Sequence, residues 1–396
     1  MTINWINPKI IIGNTATGAY YFDRPDIVAN IWEQITIGNH VLLAAPRRVG
    51  KSSIMKYMID NCIDNHKCIY KNIQGLGSAD QFFQSIYELI KSCLNFSQKT
   101  SEWLRLLKET DIEEVSLTGT LKIRERTINY LEAVNHILAK LQHNDIKIVL
   151  FIDELPEVLH NLNKNNKKED AIIILKNLRR WRQEDQFRNF RLVLAGSIGI
   201  HSVIKTIEGR NVDCNDLHKV KFDALTNEEA IEYIRWATGN NATIRYTEAL
   251  MQHLLSKIRY CLPYFINLML NEINSKARKN NNPAITINDI DNAFDEVVKN
   301  SDHFKDWKSR LFDYMPLPDA EFVNEVLIII AHMNVISKQK LYDLAIRYGK
   351  KNNYMDFIDD LEEDGYITEE NSTYVFVSPF LQAFWKRNNP VYHGKL

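Results

Sequence analysis

The sequence predicts an α/β domain built on a parallel sheet, then an all-helical segment, then helices closing on a β-hairpin. Three observations predict it. Glycine and proline number only 14 and 10 in 396 residues, about half of average usage of about 7% and 5%, which favours helices over turns. Five short apolar runs alternate with helical patterns over the first 225 residues, as strands buried on both faces of a parallel sheet do. Beyond Leu225 strand-like runs give way to helical periodicity, and they return only near Gly365.

Composition bounds the rest. At roughly 100–200 residues per domain the chain makes two or three domains. Hydrophobic residues at 45% and charged residues at 25% are those of a globular protein and exclude disorder as the main state. The 49 basic and 50 acidic residues leave a net charge of -1, so nothing in the overall charge draws the chain to nucleic acid. The richest apolar run, Val326–Ile330, falls far short of the roughly 18 residues a membrane span needs. Met1–Trp5 shows no basic stretch leading into an apolar one, so no membrane association and a cytoplasmic location are expected. Cys62, Cys68, Cys93, Cys214 and Cys261 are odd in number and contain no C-x-x-C, which predicts reduced, mostly buried thiols. The histidines show no metal-ligand spacing.

Taken in order, the apolar runs are Val41–Ala44, Cys68–Tyr70, Ile148–Ile152, Leu192–Ala195 and Val220–Phe222. Val115–Ile123 reads as an edge strand in an insertion between the second and third. Thr226 and Glu229 have the capping-box spacing and open a helix over Ala230–Trp236. Helical periodicity continues to about Asn300, with Thr247 and Asn288 as further N-caps. From Ser301 helices are expected at Phe322–His332, Ser337–Arg347 and Tyr354–Glu362, then strands at Gly365–Thr368 and Tyr374–Val377, which together make a winged helix, and a last helix at Pro379–Lys386. The domain limits are therefore 1–225, 226–300 and 301–396.

The chemistry lies in the first domain. Ala45-Pro46-Arg47-Arg48-Val49-Gly50-Lys51-Ser52 joins the first strand to a helix at Ser53–Asp60, with Walker A spacing and Ala45 in place of the first glycine. Gly50 lets the backbone curl so that successive N–H groups and the helix N-terminus face a polyphosphate. Lys51 is placed to reach the β- and γ-phosphates and Ser52 to ligate Mg2+. The run Ile148–Ile152 leads directly into Asp153 and Glu154 at the carboxyl end of its strand, where ligands bind in open α/β sheets. Asp153 suits the Mg2+ shell, and Glu154 suits the base that orients or deprotonates water. Leu192–Ala195 ends in Gly196-Ser197. Ser197 has the position of a sensor residue in additional-strand P-loop ATPases, whose sensor strand lies between the Walker A and Walker B strands; a plain strand-to-helix turn reads equally well.

Tyr21-Phe22-Asp23-Arg24-Pro25-Asp26, Ala45–Ser53, Phe151–Pro156 and Leu194–Ser197 together resemble the archaeal-type ATPase group. That group belongs to the STAND branch of P-loop NTPases, related to AAA+ proteins and the Orc1/Cdc6 initiators. The resemblance implies an additional-strand (ASCE) P-loop core, an all-α lid and a C-terminal winged helix. It implies a bound ATP with Mg2+, with Arg24 near the adenine and Pro263 of Cys261-Leu262-Pro263-Tyr264 touching the nucleotide; Cys261 departs from the family's glycine. Arg210, or an arginine of Arg179–Arg182, would occupy an arginine-finger position, although a solvated helix face accounts for the latter run.

The expectation is an Mg2+-dependent ATPase acting as a nucleotide-controlled switch, whose partner is a protein or a second copy. The alternative is an Orc1/Cdc6-like DNA-binding initiator. Asn352–Asp364, the third winged-helix segment, carries six acidic and no basic residues and is poorly suited to a major groove; Lys338, Lys340, Arg347, Lys350 and Lys351 just before it suit phosphates better. A non-hydrolysing ATP-bound scaffold is a third reading. The sequence lacks the D-x-x-G and N-K-x-D pattern of a GTPase.

Overall fold

The computed structural model describes residues 4–97, 129–143, 147–196, 200–209, 214–239 and 242–392. They pack as two compact units. Arg24–Ala44 and Ile54–Lys221 form one, and Met1–Asp23, Ala45–Ser53 and Phe222–Leu396 form the other. Val115–Ile123, Ser197 and Arg210 lie outside the described residues.

The first of these units holds a five-stranded sheet of β1 (Val41–Ala44), β2 (His66–Asn72), β3 (Lys147–Asp153), β4 (Phe190–Ala195) and β5 (His218–Lys221). Their order is β2-β3-β4-β1-β5, and every neighbouring pair is parallel. Each strand overlaps one predicted apolar run, and β4 stands between β1 and β3, as an additional-strand core requires. Every residue of β3 from Ile148 to Asp153 is buried, which is why it reads as continuous rather than alternating apolar sequence.

Helices α1 (Pro25–Ile37), α2 (Lys51–Asp60), α3 (Ala79–Ser97), α4 (Tyr130–Lys140), α5 (Leu155–Lys164), α6 (Lys168–Gln183) and α7 (Ile200–Glu208) accompany the strands. Pro25 opens α1, and Gly38, with φ 108°, closes it in the left-handed conformation that favours glycine. Trp181 of α6 is buried between Phe83 and Phe190, both edge-on at 5.9 and 5.7 Å, and its Nε1 donates to Asn135 Oδ1 at 2.6 Å. His40 is buried just before β1, and its Nδ1 accepts the Leu192 N–H at 3.0 Å. Burial, reinforced by Arg191 and Arg182, lowers its pKa to about 3 and keeps it neutral.

The cysteines depart from expectation. Cys62 and Cys68 form a disulfide, because the turn from α2 into β2 brings their Cα atoms to 6.0 Å, within bridging range. Cys93, Cys214 and Cys261 are free thiols, the last two buried.

In the other unit, α8 (Asn227–Thr238), α9 (Glu248–Ile258), α10 (Pro263–Lys279) and α11 (Ile287–Lys299) precede α12 (Lys305–Tyr314) and α13 (Leu317–Met333). Then follow β6 (Ile336–Ser337), α14 (Lys338–Arg347), α15 (Tyr354–Glu363), β7 (Ile367–Glu370), β8 (Thr373–Phe376) and α16 (Pro379–Asn388). Both hydrogen bonds of the Thr226–Glu229 capping box form, and Thr247 caps α9. The cap of α11 is Thr286 with Asp289, not Asn288; a hydroxyl two residues earlier closes a complete box, which a lone Asn cannot. β6 adds an unpredicted edge to the hairpin, giving the antiparallel order β6-β8-β7. Phe265, Phe304 and Phe380 meet at centroid distances of 5.3 to 6.3 Å and join α10 to the C-terminal helices. The N-terminal segment straps onto α8 and α10: Lys9 N–H donates to Ala237 O, Trp5 Nε1 to Asn274 Oδ1, and Asn267 Nδ2 to Ile11 O. Among the described residues no helix is long and apolar enough to cross a membrane.

Candidate nucleotide-binding site

The loop Ala45–Gly50 leaves β1 and ends at Lys51, the first residue of α2. Ala45 is not among the residues of positive φ, so alanine replaces the usual glycine without strain. Arg48 (φ 61°) and Gly50 (φ 108°) are left-handed, the alternation that turns backbone N–H groups inward. A Cβ on Gly50 would meet only the Phe222 ring at an ordinary 3.8 Å; the need for glycine there is conformational. Val49 is buried and anchors the loop. Lys51 is 7% exposed, and its Nζ donates to the carbonyls of Ala45 at 2.6 Å and Pro46 at 2.8 Å. Ser52 follows in the first turn of α2, and Ser53 Oγ accepts the Ala16 N–H at 3.0 Å.

Within the same unit the loop touches the chain's C-terminal third. Arg47 Nη2 and Arg48 Nη2 each lie 3.3 Å from Asp306 Oδ2 on α12. The Arg48 guanidinium lies 4.1 Å from the ring centre of Tyr264, next to Pro263 at the start of α10. Gly365 packs on Pro46 so closely that a Cβ would come within 2.9 Å of the proline Cβ. Beside it, burial pushes the Asp364 carboxyl up to about 7 against the opposing charges of Arg310 and Lys51. Two donors of the loop, Arg47 Nη1 and Arg48 Nε, are buried without a hydrogen-bond partner. Such atoms are costly unless an acceptor arrives.

The acidic pair belongs to the other unit. β3 ends at Asp153, 2% exposed. Its Oδ1 accepts the Glu154 N–H at 3.1 Å, and its Oδ2 accepts the Tyr70 hydroxyl at 2.9 Å. Glu154 is the N-cap of α5 in a left-handed conformation, φ 62° and ψ 31°, the kind of strain that non-glycine residues hold at functional sites. Burial first, and the Asp153 charge second, raise the Tyr70 pKa and keep the phenol protonated. Gly196 ends β4 against the start of α5, where a Cβ would lie 2.3 Å from Pro156 Cδ. The glycine of Leu194–Ser197 thus has a packing role of its own.

Arg24 is the N-cap residue of α1. In α6, Arg180 pairs with Glu184 at 2.9 Å, while Arg182, its side chain 1% exposed, makes two 2.9 Å hydrogen bonds to Asp216. Arg182 is an internal brace. Sequence reasoning gave no role to Tyr70, Tyr264, Asp306 or Asp364. Tyr264 ends the motif Cys261–Tyr264 but was passed over for Pro263, the other three lie in no motif, and only the register of β2 against β3, which pairs Asn72 with Asp153, places Tyr70 near the acidic pair.

In one unit a buried ammonium and two orphaned guanidinium nitrogens, with the Ser52 hydroxyl next in sequence to the ammonium, suit the anionic oxygens of a polyphosphate; in the other the Asp153 carboxylate is a hard oxygen donor of the kind that Mg2+ takes. A Walker-type ATPase of Pyrococcus abyssi superposes with a TM-score of 0.58 at 14% identity, over 94% of this chain and 98% of that one. The Orc2 protein of Aeropyrum pernix, in ADPNP–ADP complexes, superposes with a TM-score of 0.53 at 11% identity, over 92% and 91%. This chain has the fold of the archaeal P-loop ATPases. The resemblance carried by its motifs therefore holds for the fold along nearly the whole length of the chain. No family model and no curated relative matches it in sequence.

Proposed function

We propose that the protein is an Mg2+-dependent ATPase of the STAND type that works as a nucleotide-controlled switch. In this reading residues 1–225 are the ATPase core, 226–300 the lid and 301–396 the winged helix. The observation that carries it is the double pairing of Arg47 and Arg48 with Asp306 beside two orphaned guanidinium donors. Phosphate oxygens form stronger, charge-assisted hydrogen bonds with guanidinium groups and compete with a half-exposed carboxylate for them. A ligand that prefers one of two arrangements shifts the balance toward it, so nucleotide at the loop favours release of α12.

The remaining roles follow from the side chains. Lys51 exchanges its loop carbonyls for β- and γ-phosphate oxygens, Ser52 and Asp153 hold the metal shell, and Arg24 and Pro263 border the nucleotide. Mg2+ neutralises charge on the phosphates when it is bound. Glu154, fixed at the N-cap of α5, takes the proton of the attacking water at its carboxylate, with Ser197 as sensor. The partner is a protein or a second copy. The DNA reading is less supported, because Lys338 is engaged by Glu369 and Lys350 by Asp319, and such paired lysines release fewer counterions.

Steady-state turnover of Mg2+-ATP by wild type, Lys51→Ala and Glu154→Gln tests the reading. Loss of turnover in both, with ATP binding kept by Glu154→Gln and weakened by Lys51→Ala, is the expected result. Equal turnover in wild type and Glu154→Gln contradicts it.

A further inference from the structure

We infer that Tyr70 is a positioning residue whose hydroxyl aims the oxygens of Asp153, the proposed metal-shell carboxylate. The inference rests on the proposed role of Asp153 and goes beyond it by naming what holds that side chain.

The contacts lie entirely within one unit. Gln74 N–H donates to Asn72 Oδ1 at 2.8 Å. The Tyr70 hydroxyl donates to Asp153 Oδ2 at 2.9 Å. Asp153 Oδ1 is held separately by the Glu154 N–H. Tyr70 and Asn72 are two residues apart on β2 and so share a face, and Asn72 pairs with Asp153 in the β2–β3 register. The phenol ring is itself steadied by Lys56 of α2, whose Nζ lies 5.8 Å from its centre.

Both carboxylate oxygens therefore have assigned donors, and the outer lone pairs keep one direction. Ligating carboxylates are commonly held by such outer partners, and losing one costs metal affinity without removing a ligand. A tyrosine suits the place because its hydroxyl can donate to the carboxylate from the neighbouring strand. Without the hydroxyl, Asp153 Oδ2 loses this donor in a buried setting, and the carboxylate is held less firmly.

The test is the Mg2+ concentration at which affinity for a fluorescent ATP analogue is half-enhanced, in the full chain. Tyr70→Phe should raise it on the order of tenfold while leaving analogue affinity in EDTA unchanged. In an Asp153→Asn background Tyr70→Phe should add nothing. A wild-type-like Mg2+ requirement in Tyr70→Phe overturns the inference, as does an equal effect of Tyr70→Phe with and without Asp153. If wild-type affinity ignores Mg2+, the proposed role of Asp153 fails first and takes this inference with it.

Discussion

Arg48 lies with its guanidinium 4.1 Å above the ring of Tyr264 while the same group pairs with Asp306. A residue of the loop after β1 is thus shared between the start of α10 and α12. The left-handed backbone at Arg48 turns its side chain toward these partners. The contact couples the loop to the C-terminal part of the chain by an exchangeable interaction rather than by apolar packing alone.

Removing the carboxylate should favour nucleotide. Exposed ion pairs are worth roughly 0.2–1 kcal/mol each, and Asp306 is about half exposed. Asp306→Asn should therefore tighten ATP binding by about two- to fivefold, with the gain shrinking as salt rises. An ATP titration at low and high ionic strength checks this, and unchanged affinity at low salt counts against competition between Asp306 and phosphate.

Tyr264→Leu keeps an apolar surface under Arg48 but removes the ring face. Cation–π contacts contribute about 0.5–1 kcal/mol at exposed sites. Arg48 should become freer, and the Asp306→Asn effect on ATP affinity should change when measured in the Tyr264→Leu background. Strict additivity in that double-mutant cycle would mean that the two contacts of Arg48 act independently.

Gly196 supplies a stability prediction. Gly196→Ala places a methyl 2.3 Å from Pro156 Cδ, so β4 or α5 must shift, and overpacking of this kind costs about 1–3 kcal/mol. The first unfolding transition seen by calorimetry should move to lower temperature. Gly13→Ala, whose Cβ would meet nothing within 4 Å but whose φ is 85°, should be milder because its strain falls on an exposed turn.

His40 sets a pH dependence. Burial, Arg191 and Arg182 lower its pKa from 6.5 to about 3 in the folded chain, whereas the unfolded chain titrates near the ordinary value. Unfolding therefore takes up a proton between pH 6.5 and about 3, and stability falls as pH drops through that window by up to about 1.4 kcal/mol per pH unit. Urea midpoints at about pH 7.5 and about pH 5 should differ more for wild type than for His40→Asn, which retains an acceptor for the Leu192 N–H but no titrating ring.

Elements governed by local pattern were legible in the sequence. Strands buried on two faces read as apolar runs, so β1 to β5 were found, and the Thr226–Glu229 box fixed the start of α8 because both partners lie within one turn. The loop Ala45–Ser53 and the pair Asp153–Glu154 stand out in the sequence because the chemistry proposed for them requires fixed residue types at fixed spacing. What was not legible depends on tertiary proximity. The Cys62–Cys68 bond depends on how one turn folds, and Asp306 meets Arg47 across more than half of the sequence. Tyr70 faces Asp153 only because β2 pairs with β3 in one register. Asn288 failed as a cap because Thr286 offers a full capping box two residues earlier.

The most direct test of the switch is backbone hydrogen exchange over residues 301–314, comparing nucleotide-free protein with Glu154→Gln saturated with Mg2+-ATP. The account predicts faster exchange in the ATP-bound state, as the arginines leave Asp306 for phosphate and α12 is released. Unchanged or slower exchange, with ATP binding confirmed in the same sample, would contradict it.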